Sequence, residues 1–295
     1  MNVLQVFLTG LSLSAIYALL AVGFVVIYKG TKVVNLAQGA VMMIGVYVVF
    51  KLNTGLDFWI VALIGIAVGA AAAVIIQLIL SLSKSHDHLV ATIITIAIDM
   101  IVTAILLVEM RDLMLYIPGP WADAVIQIGG AAMPVARVAA FATAILAIGA
   151  FFVVFRYTTF GVRMRAAASD PETAALMGVS GRSVALWSWG IGGGLAVIAG
   201  IFLAGFPGAG LPAFGSALAF AVIPAIIIGG MDSAEGAIIG ALIVGFTESV
   251  SRYLVAAYAP WMGEQIAIVV PYVIMLIVLL VRPSGLFGSR EISRV

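Results

Sequence analysis

Acidic residues are rare in this chain, so any acid inside an apolar run is a candidate for chemistry. Asp99 sits in ATIITIAIDMIVTAILL, with Thr92, Thr95 and Thr103 nearby and no partner at helical spacing. Glu248 sits in GALIVGFTESVSRYL, with Arg252 four residues later, the favourable order for a helical ion pair. Asn35 and Gln38, three apart, share one helix face. Polar groups in hydrocarbon are costly, so each is a candidate functional residue. Glu248 reads as a structural pair with Arg252. Asp99 must face protein or a wet cavity, as a packing contact or as path lining. Asn35 and Gln38 are placed to hydrogen-bond broken backbone at the cytoplasmic start of the second span.

Other chemistry is thin. The chain has no Cys and only two His, His86 and His88 in KSHDH. Two His without a third ligand at helical spacing read as a solvated turn, and no metal site is expected. An intramembrane enzyme would need a nucleophile with its base or a metal cluster. No G-x-x-x-x-G-K-[ST] phosphate loop occurs, so uphill transport would draw on a partner or an ion gradient. A stand-alone secondary transporter or channel would have to rely on Asp99 and Glu248.

The elements that position these residues are set by composition. The 295 residues are 64% hydrophobic and 9% charged, with a mean hydropathy of +1.26. Apolar runs of about 18 residues or more are span candidates. About nine such segments are expected: 3–28, 33–50, 58–82, 89–110, 134–155, 183–206, 211–230, 236–257 and 264–281. The expected fold is an all-α, polytopic helical bundle in the membrane, one transmembrane domain over 1–295. Period-2 alternation, which a barrel needs, is absent.

Lys and Arg set the orientation. With residues 158–183 in the cytoplasm, ten of the 14 basic residues fall inside and four outside. The N-terminus is then outside and the C-terminus cytoplasmic. The segment 211–230, with Pro212 and Pro224, reads as a broken span, re-entry being the alternative. Non-helical backbone at membrane depth survives only where protein or water satisfies it. Pro224 therefore marks a candidate wall of a central path, a packing kink being the alternative. The glycines of 190–200 and 236–245 read as close helix packing, with a hinge at Gly192–Gly194 as the alternative.

The loop TTFGVRMRAAASDPETAALMGVSGRS, residues 158–183, is longer than a connection needs. It holds a short helix from Pro171 to Met177. Asp170 suits the N-cap, Pro171 the first turn, Glu172 the positive dipole end and Gly178 a left-handed exit. So short a helix is not stable alone in water, so something must pack on it. A partner groove and the lipid surface, with Arg163 and Arg165 on anionic headgroups, are the two readings.

FGVRMRAAASDPETAALMGVS resembles the cytoplasmic coupling loop of LivH-type permeases of branched-chain amino acid ABC transporters. Three further stretches match that family in order: SAIYALLAVGFVVIYKGTKVVNLAQGA, GGMDSAEGAIIGALIVGFTES and RPSGLFG. The resemblance implies the transmembrane subunit of an importer in a bacterial or archaeal cytoplasmic membrane. It implies a second, LivM-like permease, two cytoplasmic ATPases and an extracytoplasmic binding protein as partners. ATP would be used by those partners, and neither a cofactor of its own nor nucleic acid is expected. Asp170, Glu172, Ala174, Ala175 and Gly178 correspond to the ATPase-docking loop. Asn35, Gln38, Asp99, Pro224 and Glu248 are the candidates for the translocation path. Gln38 stands where the family often has His, and Ala40 where it often has Glu. The implied cargo is a branched-chain or related amino acid, with urea, short amides or aromatic acids as alternatives.

Overall fold

The computed structural model describes residues 3–83, 87–110, 114–121, 124–205, 211, 217–263 and 266–288. His86 and Pro212 lie outside the described residues. In chain order the helices begin with α1 (Val3–Thr31), α2 (Gln38–Leu52), α3 (Phe58–Ser81), α4 (His88–Met110) and α5 (Val135–Tyr157). The loop 158–183 holds α6 (Thr159–Ser169) and α7 (Pro171–Leu176). Then follow α8 (Gly181–Ala204), α9 (Ala217–Phe220), α10 (Ile223–Gly229), α11 (Ala234–Tyr258) and α12 (Ile266–Val281). Among the described residues six are long and apolar enough to cross a membrane: α1, α3, α4, α5, α8 and α11. Two shorter apolar helices, α2 and α12, add to them. A small hairpin, β1 (Val125–Ile128) with β2 (Ala131–Pro134), precedes α5.

The centre is α1. Leu19, Leu20, Val22 and Val25 are fully buried. α1 and α11 run antiparallel: Ser249 donates to the Val6 carbonyl at 2.9 Å, and Ser14 to the Leu242 carbonyl at 3.3 Å. The outer helices expose large apolar side chains, including Met100 on α4 and Leu146 on α5. In water these would be a liability, whereas in hydrocarbon they are the expected surface. Small residues let the inner helices approach. A Cβ on Gly240 would strike the Ala225 carbonyl, one on Gly193 the Gly69 carbonyl, and one on Gly200 the Met42 side chain. Gly192–Gly194 lie within the unbroken helix α8, packed against α1 and α3, as the packing reading expects.

Two spans are interrupted. The expected second segment, 33–50, is helical only from Gln38. α1 continues past its expected end to Thr31, Lys32 turns the chain with φ 57°, and the backbone enters α2 without helix over 33–37. The expected segment 211–230 is broken into α9 and α10. Its ends lie at opposite ends of the bundle. Leu211 pairs with Leu115, next to Ile117, whose N–H bonds the Ala204 carbonyl at the end of α8. Gly230 packs on Gly285 and Gly288, beyond the end of α12. The segment thus crosses the bundle as a broken span.

Candidate functional site: two interrupted spans and a surface loop

The first interruption is held by polar side chains. α2 starts beside Asp99, which lies midway along α4, and beside Gly192, midway along α8. Its N-terminus is therefore deep in the bundle, and Asn35 and Gln38 do not sit at the membrane edge as the sequence suggests. The first N–H groups of any helix lack helical partners, and in hydrocarbon they need others. Asp99 Oδ1 accepts from the Ala40 N–H at 3.1 Å. Asn35 Oδ1 accepts from the Ala37 N–H at 3.1 Å, while its amide donates to Gln38 Oε1 at 2.9 Å. Gln38 Nε2 donates to the Gly192 carbonyl at 2.9 Å, and Thr95 Oγ1 accepts from the Leu36 N–H at 3.1 Å. Asp99 is thus a cap supplied by another helix, a partner that spacing within α4 could not show. The left-handed turn at Lys32 costs a non-glycine residue about 1 kcal/mol or more, so the surrounding bonds must hold it.

The second interruption is held mainly by main chain. Pro224 lies in the first turn of α10, where its missing N–H costs no helical bond. Gly230, at φ 103°, ends the helix in a conformation that suits glycine. Leu286 and Phe287 then return from beyond α12, and their N–H groups bond the Ile228 and Gly229 carbonyls at 2.8 and 3.0 Å. Tyr272 donates its hydroxyl to the Phe220 carbonyl at 3.1 Å. The RPSGLFG end thereby serves as a C-cap for α10, a role its sequence alone does not show.

Glu248 is buried and fully engaged. Arg252 donates to Oε1 at 2.7 Å, and the Tyr17 hydroxyl donates to Oε2 at 2.7 Å. The expected i, i+4 pair forms, and Tyr17 of α1 completes it.

The loop forms the helix read from its sequence, preceded by the unexpected helix α6. Asp170 caps α7, accepting from the Glu172 and Thr173 N–H groups at 3.1 Å each. The Thr173 hydroxyl and these N–H groups hold the Asp170 carboxyl below the usual carboxylate range. The cap is ionised at neutral pH, and its stabilising contribution is lost as pH falls through the lowered folded-state pKa. Gly178 leaves the helix at φ 81°. Ala174 is buried within the chain, whereas Glu172 and Ala175 are exposed. The largest apolar surface belongs to Leu176 and Met177, 87% and 81% exposed. A two-turn helix has too little periodicity to reveal this face in advance.

α6 ties the loop to the spans. Met164 is fully buried, in contact with Ser188 of α8. Arg165 donates to the Phe155 carbonyl and its guanidinium lies over the Phe155 ring, while the Lys29 ammonium of α1 lies 5.3 Å from that ring's centroid. α6 thus packs against α1, α5 and α8, and α7 follows it after the single residue Asp170.

Six long apolar helices and two interrupted spans around a buried centre define a polytopic, all-α membrane protein. The chain belongs to the branched-chain amino acid transport system / permease component family, whose profile matches residues 6–279. The high-affinity branched-chain amino acid transport system permease protein LivH of Salmonella typhimurium is 29% identical, over 99% of this chain and 97% of that protein. A probable branched-chain amino acid transport permease protein LivH of Methanocaldococcus jannaschii is 27% identical, over 93% and 89%. BraD of Pseudomonas aeruginosa, a permease protein of the same kind of system, is 25% identical, over 99% and 98%. Among solved structures, a chain of PsaBC from Streptococcus pneumoniae in complex with Fab shares the fold, with TM-score 0.53 at 15% identity, over 95% of this chain and 93% of that one.

Proposed function

We propose that this chain is the membrane subunit of an ATP-driven importer for branched-chain amino acids. It works with a second, LivM-like permease, two cytoplasmic ATPases and an extracytoplasmic binding protein. The observation that carries the coupling is α7: a capped helix presenting Leu176 and Met177 to solvent, braced through α6 against three spans. Exposed apolar side chains on a short helix suit a groove in a partner. ATP-driven closure of the ATPase pair moves α7, and α6 passes that motion to the bundle. Docking rests on Ala175, Leu176 and Met177, with Asp170, Glu172 and Gly178 shaping the helix. Ala174 supports it from beneath.

This orientation puts the end of α1 and the RPSGLFG segment in the cytoplasm, in agreement with the basic residues. The branched-chain relatives favour aliphatic cargo over urea, amides or aromatic acids. Asp99 and Glu248, both engaged in structural bonds, give little support to a stand-alone ion-coupled transporter. The test is uptake of labelled leucine by the complete complex in proteoliposomes. ATP- and binding-protein-dependent uptake is expected. Uptake that persists without ATP would overturn the reading.

A further inference from the structure

The two interruptions meet. Val34 and Leu36 of the first and Ile223, Ile226 and Ile227 of the second line one cavity of about 150 Å³ with Phe24, Tyr28 and Met231. Its walls are aliphatic and aromatic. A wider cavity of about 620 Å³ shares Tyr28, Ile227 and Met231 with it and opens at the end of α1. That wider cavity is lined by one basic and one acidic residue, Lys32 and Asp232, together with Ser284. Lys32 is exposed, with its ammonium 5.4 Å from the Tyr28 ring centroid. Asp232 is half-buried on the turn that leads from α10 into α11.

We propose that these adjoining cavities form an exit site for a zwitterionic amino acid with an aliphatic side chain. The proposal rests on the importer reading above. The cargo's side chain enters the apolar cavity between the two interruptions, where burial away from water favours it. Its carboxylate meets the Lys32 ammonium and its ammonium meets the Asp232 carboxylate, charge-assisted contacts stronger than neutral ones. A mostly apolar pocket with a few orienting polar groups is the usual form of a small-molecule site. Both charges are carried by the interruptions themselves: Lys32 is the left-handed turn before the first, and Asp232 follows the glycine pair that ends the second. Any movement of one interruption past the other changes the separation of the two charges, so the site loosens its hold on cargo as the spans shift.

The natural chain has no Cys, so a single Ile227→Cys substitution gives it one reactive thiol at the junction of the cavities. The experiment follows maleimide modification of this chain by gel shift, in the complete complex without ATP. Leucine uptake by the unsubstituted complex is measured alongside. Leucine at about ten times its Kd is expected to slow modification roughly tenfold. Isovalerate and isoamylamine, each lacking one charge, are expected to protect weakly. Lys32→Gln and Asp232→Asn, each added to Ile227→Cys, are expected to abolish protection by leucine while the ATPases still co-purify. Unchanged modification in leucine, in a complex that takes up leucine, overturns the exit site and leaves the importer reading standing. Equal protection by isoamylamine and leucine overturns the zwitterion match. Absence of leucine uptake by the unsubstituted complex overturns the importer reading and the exit site with it.

Discussion

At the first interruption, side chains repair the backbone; at the second, backbone repairs backbone. Asn35, Gln38, Thr95 and Asp99 fix the start of α2 to α4 and α8 through directed bonds from three elements. α10 instead leans on glycine contacts with α11 and on the returning N–H groups of Leu286 and Phe287. Directed side-chain bonds fix one geometry. The glycine faces of α10 and α11, with the main-chain cap of α10, place few side-chain bonds across the contact. On the importer proposal, the first interruption is expected to be the fixed wall of the path and the second its moving wall.

The largest predicted effect tests the glycine face. Gly240→Leu drives a side chain into the Ala225 carbonyl, and overpacking of this kind costs about 1–3 kcal/mol or more. Loss of the folded complex in detergent size exclusion is the expected outcome. Normal assembly would mean that α10 and α11 are not held as closely as described.

Next comes the fixed wall. Asp99→Leu strands the Ala40 N–H in an apolar setting, at a cost of about 1–3 kcal/mol. Asp99→Asn keeps an acceptor and should be the milder change in thermal unfolding and in uptake. Equal losses in both would show that the charge, and not the hydrogen bond, is what matters. A smaller effect is expected for Tyr272→Phe, which removes one bond to the Phe220 carbonyl, worth about 1 kcal/mol. Hydrogen exchange sharpens the comparison further. Amides of 226–230 should exchange faster on ATP addition, while those of 36–41 stay constant. The reverse pattern would exchange the roles of the two walls.

The sequence shows the spans because a continuous apolar run is a local property, and helix ends differ from expectation by only a few residues for α3, α4, α5 and α8. It shows the cap at Asp170 and the pair Glu248–Arg252 for the same reason, since both lie within one turn of helix. It misplaces the start of α2. An apolar stretch such as VVNLA reads as helix, and several of the groups that hold its non-helical backbone, Thr95, Asp99 and the Gly192 carbonyl, are distant in sequence. The Tyr17–Glu248 bond joins opposite ends of the chain, and Leu286 returns onto Ile228 from beyond two intervening helices, pairings that periodicity cannot show. Which side of α7 faces outward is likewise decided by its packing and not by its own residues.

The most direct test of the whole account is co-purification of the ATPases with this chain, comparing the natural sequence with Leu176→Asp/Met177→Asp. Both side chains are exposed, so the double substitution should leave insertion and the bundle intact. The account predicts that the natural chain retains both ATPases and the second permease, while the variant keeps the permease and loses the ATPases. Full retention of the ATPases by the variant, with undiminished ATP-dependent uptake, would contradict it.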